Sequence, residues 1–366
     1  MSNPSLVVAL PVKDEAERLP ACLQALATQD NASERTVLVL VNNASDESAA
    51  IARAFPATSS CRVLVETVIL PEVDANAGGA RRLAMRVAAD IAGPGGIILT
   101  TDADGRVAPD WLRANLRAMT AGADAVAGRA VIDPIEEALI PAALLDADAR
   151  ECKYAALLDE IVAGMDPDPA DPWPRHDEHS GASIAVTVDA FLRAGGVPAL
   201  PMGEDRAFFR NLRRIDARIR HAPEVQVVVS GRTEGRAKGG MADTIRRRLV
   251  CPDMFLDDRL EAVQEAVLRA RLRRRTRLLW ADDVADYWSV LALARDLHLP
   301  SGFVREKLAS ARFGAAWDDL ETVSPALRRR PVPTAAISHE IAVAASILAE
   351  SRAPARDADQ TMEISA

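Results

Sequence analysis

The sequence predicts an α/β fold built on a mixed, mostly parallel central sheet and continued by a helical C-terminal extension, and three observations lead there. Up to about residue 110, apolar runs that read as strands alternate with segments whose apolar residues recur at helical spacing. Each run is nearly continuous in apolar residues, as a strand covered on both faces requires. From about Phe255 onward helical periodicity replaces the strand-like runs.

The elements follow in order. "SLVVALPV" reads as a strand, and "EAERLPACLQALATQ" carries Leu19, Leu23 and Leu26 on one helical face. "TVLVLV" is a second strand, and the turn "NNASDES" offers side chains that cap the helix "SAAIARAF". Strand "RVLVETVIL", the glycine-bearing "NAGGA", helix "ARRLAMRVAADIA" and strand "GIILTT" come next. "ADAVAGRAVIDP" offers a further strand, "EALIPAALLDADARECKYAALLDEIV" a long helix, and the Pro- and Asp-rich "DPDPADPWPRHDEH" a loop. "GASIAVTVDAFLRAGG" then gives a strand, a helix and a glycine stop. Past it, Leu256, Leu260, Val263 and Val267 mark one helical face beside the basic run "RARLRRRTR". That run reads as a solvated face, or as a docking surface for anionic lipid headgroups or for a second copy, the latter giving a homodimer through the C-terminal helices. The expected division is a domain over residues 1–250, a helical extension over 251–350 and a disordered tail over 351–366.

Composition excludes several classes. A net charge of −9 and a pI near 5.2 argue against a nucleic-acid binder, because phosphate backbones are held by excess Lys and Arg. Cys22, Cys61, Cys152 and Cys251 are widely spaced without a CxxC pair, which fits reduced thiols in a cytoplasmic setting rather than a disulfide or zinc framework. No apolar run reaches the roughly 18 residues of a membrane span, so attachment to a membrane is expected to be peripheral at most.

The chemistry-bearing residues sit at strand ends, where open α/β sheets bind ligands. In "TTDADG", Asp102 and Asp104 turn from a buried strand toward that crevice, as a pair suited to a hard divalent cation that also holds phosphates. "PVKDE" and "VNNASD" end two other strands, and "SGRTEGRAKGG" is a basic, glycine-rich loop able to close over a diphosphate.

Together "VVALPVKDEAERLPACLQAL", "VLVLVNNASDESAAIA", "NAGGARRLAMRVA", "TTDADGRVAPDWL", "GASIAVTVDAFLRAGGVP" and "GEDRAFF" resemble the family 2 nucleotide-diphosphosugar glycosyltransferases, over about residues 5–240. The resemblance implies a Rossmann-like GT-A fold and metal-dependent, usually inverting, sugar transfer to an acceptor. Retaining transfer on the same fold, or a non-catalytic nucleotide-sugar-binding protein, is the alternative. Carried over, Asp102 and Asp104 are the metal pair, for Mn²⁺ or Mg²⁺, with His221 a third ligand in some relatives. Pro11, Glu15 and Asn42 meet the nucleoside; the family commonly has Asp where Asn42 stands, which leaves the base open with uracil in front. Arg81 falls on the family's arginine near the nucleotide, with Gly78 and Gly79 allowing close backbone approach, and Ser183 with His179 lines the sugar site. Arg232 and Arg236 belong to the basic loop. Asp205 is the expected catalytic base and Glu204 its neighbour that positions sugar or acceptor. The resemblance names no acceptor.

Overall fold

Strand β1 (Leu6–Val12) is followed by α1 (Leu19–Ala27), β2 (Arg35–Asn42), α2 (Ser48–Ala54), β3 (Cys61–Val68), α3 (Ala77–Ala92) and β4 (Ile97–Thr100). The chain continues through β5 (Arg106–Val107), α4 (Trp111–Thr120), β6 (Ala125–Ile132), the short α5 (Pro134–Glu137), the long α6 (Ala142–Met165), β7 (Ile184–Thr187), α7 (Val188–Arg193), α8 (Glu204–Arg214) and β8 (Ile219–Val229). Helices α9 (Met241–Val250), α10 (Val263–Ala281), α11 (Tyr287–Asp296), α12 (Ser301–Leu308), α13 (Phe313–Val323) and α14 (Ile337–Arg352) complete it. This computed structural model describes residues 4–30, 33–233, 235, 240–282 and 286–352.

The eight strands form one sheet in the order β3-β2-β1-β4-β7-β6-β8-β5. The pairs β1·β2, β2·β3, β1·β4 and β6·β8 are parallel, while β7 runs antiparallel to both β4 and β6, and β5 to β8. Alternation along β1 explains the layering. Leu6, Val8 and Leu10 face α1 and α4, packing with Leu23, Leu26, Trp111 and Leu112. Val7 and Ala9 face the other way, onto Met85 and Ala88 of α3 and Phe208 and Phe209 of α8. Two further cores lie among the C-terminal helices. One joins Tyr154 and Ile161 of α6 to α10 and α14, and the other joins Leu293, Val304, Trp317 and Leu320 of α11–α13.

Three expectations need correction. The helical face does not begin at Phe255. Leu256 donates its backbone N–H to Val332 O at 2.9 Å and Phe255 bridges Pro333, so the segment is extended and α10 starts only at Val263, although Leu256 and Leu260 join the same apolar core. The basic run of α10 is not a bare solvated face. Arg273 and Arg277 grip Asp166, Arg269 grips Glu261 and Glu321, and Arg275 grips Asp296. Ser351 and Arg352, which the tail expected over 351–366 included, belong to α14; residues 353–366 lie outside the described residues.

Asp46 justifies the capping expectation, accepting from the backbone N–H of Ser48 at 2.9 Å and of Ala16 at 2.8 Å. Gly78 and Gly79 do not form an open ligand loop. They lie in the first turn of α3, capped by Asn76, and a Cβ would stand 2.0 Å from Leu200 O at Gly78 and 2.1 Å from Asp74 O at Gly79. Here the missing side chains let two backbone segments dock on the helix.

Candidate active site

The carboxyl ends of β1, β2 and β4 open into a cleft of about 2260 Å³, walled opposite by the 166–183 loop, the start of α8 and the C-terminal helices. Pro11, Glu15, Asn42, Arg81, Asp102, Asp104, Glu204, Asp205, His221 and Arg232 all line it. Arg236 lies outside the described residues.

Arg81 organises the centre. Its guanidinium is buried and its donors diverge: Nε to Glu204 Oε1 at 3.0 Å, one terminal nitrogen to Gly181 O at 2.6 Å, the other to Asp102 Oδ1 at 2.9 Å. Burial works against its charge, and Asp102 and Glu204 more than offset that, holding its pKa above the ordinary arginine value. The Gly181 N–H in turn donates to Asp205 Oδ2 at 2.9 Å, and Asp205 Oδ1 accepts from the Arg206 N–H at 2.7 Å. One continuous bonded path thus joins Asp102 at the end of β4 to Asp205 on the first turn of α8. Gly181 must be glycine here, since a Cβ would fall 2.4 Å from the Arg81 guanidinium carbon.

On the other side of the carboxylate pair, Arg232 folds over from beyond β8. It bonds Glu15 through both terminal nitrogens and Asp104 Oδ2 at 3.1 Å. Burial pushes the Asp104 carboxyl up to about 6, with Asp102 and Glu15 adding to the rise against Arg232. Negative charge therefore exceeds positive charge at this point. Asn42 is buried, its amide donating to Val12 O at 3.0 Å, with the side-chain carbonyl as its acceptor.

Two expectations do not survive. Ser183 is 1% exposed, absent from the cleft wall, and its Oγ accepts from the Trp111 indole at 2.8 Å; Ser180, Gly181 and Ala182 form the wall instead. His221 does not join Asp102 and Asp104 as a metal ligand. Its Nδ1 lies 2.7 Å from Asp171 Oδ2 and its Nε2 lies 3.1 Å from His179 Nε2. Among the described residues no three His, Cys, Asp or Glu groups converge as a metal-binding set.

Deeper in the cleft, burial and the neighbouring Asp177 push the Asp159 carboxyl of α6 up to about 8, against Arg175 and Arg259. The folded state therefore holds a proton that the unfolded chain releases near the ordinary value of 3.8. Its contribution to stability falls as pH rises through that window. Asp159→Asn is expected to raise the melting temperature at pH 8.5 by at least about 2 °C and to change it little at pH 4. A melting curve in which the substitution has the same effect at both pH values would refute this assignment.

Residues 7–166 match the model of glycosyl transferase family 2, and the matched stretch contains Pro11, Glu15, Asn42, Arg81 and the Asp102–Asp104 pair. This part of the chain is similar to that family. The chain as a whole has the mixed sheet described above, and a search of curated proteins gives no match. Among solved structures it is similar to the mannosyltransferase PcManGT from Pyrobaculum calidifontis in complex with GDP-Man and Mn²⁺, at 17% identity and a TM-score of 0.46, over 96% of this chain and 80% of that one. It is also similar to S. aureus TarS with UDP-GlcNAc, at 14% identity, a TM-score of 0.45 and coverage of 95% and 91%. Glucosyl-3-phosphoglycerate synthase from Mycobacterium tuberculosis is a third, at 16% identity, a TM-score of 0.36 and coverage of 74% and 79%.

Sequence reasoning missed the internal bonding of the site. Arg81 binds the protein's own carboxylates, Arg232 closes on Glu15, and the linked groups Asp171, His221, His179 and Arg213 are spread from the Pro-rich loop through the end of α8 to the start of β8. Asp171 did stand in a loop flagged for its composition, but no spacing ties it to His221, 50 residues away. No helix among the described residues is long and apolar enough to cross a membrane.

Proposed function

We propose that this protein is a glycosyltransferase that moves a sugar from a nucleotide-diphosphosugar, with a UDP-sugar as the first donor to test, to an acceptor hydroxyl with inversion at the anomeric carbon. The observation that carries the reading is the bonded path Asp102–Arg81–Gly181–Asp205, which holds a cation-binding carboxylate and a candidate base at fixed separation across one cleft.

A divalent cation, Mn²⁺ or Mg²⁺, fits the site. Asp102 and Asp104 supply hard oxygen donors where negative charge is in excess, and two carboxylates beside substrate phosphates are the usual protein share for such an ion. When bound, the ion neutralises charge on the departing diphosphate. Pro11, Glu15 and Asn42 cradle the nucleoside. Arg232, poised between Glu15 and Asp104, meets the diphosphate, together with Arg236. Arg81 acts as a positioning residue, aligning Asp102, Glu204 and Gly181 through three separate donors. Asp205 takes the proton of the attacking hydroxyl, its carboxylate aimed by the Gly181 and Arg206 N–H groups, while Glu204 orients sugar or acceptor.

Incubating the protein with UDP- and GDP-sugars and Mn²⁺ is expected to release nucleoside diphosphate, and NMR of the product is expected to show the anomer opposite to the donor's. Retained configuration would contradict inversion; no release from any donor would contradict the reading as a whole.

A further inference from the structure

Helix α8 begins at the candidate base and carries Arg206, Arg210 and Arg213 at i, i+4 and i+7, one stripe along its cleft-facing side. Arg206 is neutralised by Asp258, and Arg210 by Asp318. Arg213 is different. Among the described residues no carboxylate oxygen lies within 4.0 Å of its guanidinium, and its one side-chain partner is His179 Nε2 at 3.0 Å. Its neighbours on the same wall, Arg259, Arg269, Arg273 and Arg277, each have a carboxylate. Arg213 keeps open surface toward the cleft. Burial, Arg273 and Arg210 press its pKa below the arginine norm against Glu321 and Asp318.

The histidines beside it add donors. Burial, Arg213 and His221 hold His179 well below its ordinary pKa, hence neutral. With Nε2 accepting from Arg213, the His179 proton is on Nδ1. His221, its Nδ1 held by Asp171, brings its own Nε2 to 3.1 Å from the same atom. His179 also stands two residues before Gly181, the residue that fixes Asp205, so the cluster adjoins the expected point of attack.

We propose that Arg213, with His179 and His221, forms a subsite for a phosphate or carboxylate group of the acceptor, which makes the acceptor an anionic hydroxy compound. This deepens the proposed glycosyl transfer and rests on it. Arg213 follows Asp205 by eight residues, roughly 12 Å along the helix axis, and its side chain leans back toward the N-terminus, so the anion and the attacking hydroxyl belong to one short molecule or headgroup.

The test starts with protein saturated with nucleoside diphosphate and Mn²⁺, so that the donor's phosphate site is filled, and measures binding of inorganic phosphate by calorimetry. Wild type is expected to bind it, Arg213→Gln at least about tenfold more weakly, and Arg213→Lys in between. In transfer assays the KM for glycerol 3-phosphate is expected to rise by the same factor in Arg213→Gln while nucleotide affinity holds, and glycerol is expected to be a poor acceptor for wild type. Transfer to phosphatidylglycerol vesicles in place of glycerol 3-phosphate, with the same dependence on Arg213, assigns the anion to a lipid headgroup. Phosphate that does not bind the loaded wild type, or binds Arg213→Gln equally well, overturns the subsite. Should the nucleotide itself not bind, the transferase reading fails separately, and the same phosphate titration on the free protein still decides the subsite.

Discussion

Asp104→Asn is expected to lower kcat/KM for sugar transfer by about 10³-fold, with the folded protein intact. A cation that neutralises a departing diphosphate contributes several kcal/mol to the barrier, and removing one of two anchoring carboxylates forfeits much of it. The fold tolerates the change because the native carboxyl is already crowded by Asp102 and Glu15, and Arg232 keeps its bonds to Glu15. Asp102→Asn is expected to cost as much activity and to lower the melting temperature as well. It removes one of the two carboxylates that hold the buried Arg81, leaving a charged guanidinium under-compensated. Kinetics and melting curves on the two variants therefore separate ligand loss from scaffold loss. Equal melting temperatures would contradict the bridging role of Arg81, and full activity in Asp104→Asn would contradict the role of the pair.

Asp205→Asn is expected to lower kcat by about 10²- to 10⁴-fold while the dissociation constant for the nucleotide stays within about twofold, because a general base acts on the acceptor proton and not on the donor. The amide keeps one carbonyl acceptor for the two N–H groups that now aim the carboxylate, so the first turn of α8 loses one of two bonds and remains formed. The limb of the pH–rate profile that reports deprotonation of the base is expected to vanish in the variant. A substitution that weakened nucleotide binding and left kcat alone would move Asp205 from the acceptor side of the cleft to the donor side.

Short-range features of the site were legible in the sequence, and long-range ones were not. The end of β4 after an apolar run, with Asp102 and Asp104 beyond it, follows from local patterning. So does the acidic first turn of α8 after Gly203, a residue with left-handed φ of 74°. Arg232 was recognised as part of a basic loop, yet its partner Glu15 is 217 residues away, a pairing that only the tertiary fold creates. Ser183 is a cleft residue by family resemblance alone; in the fold it is buried and its Oγ accepts from the Trp111 indole. His221 lies near the start of β8, and Asp171, from a loop without periodicity, captures its ring. The arginines of α10 looked solvated because their carboxylate partners, Asp166 and Glu321 among them, come from other helices and loops.

The most direct test of the central claim is the melting temperature of the full chain with UDP and GDP, each in the presence and absence of Mn²⁺. A ligand bound by the native state alone raises that temperature. The account predicts a clear rise for at least one nucleotide with Mn²⁺, a much smaller rise without it, and loss of the metal-dependent part in Asp104→Asn. Identical curves for the protein alone and with every nucleotide, with or without the ion, would contradict it.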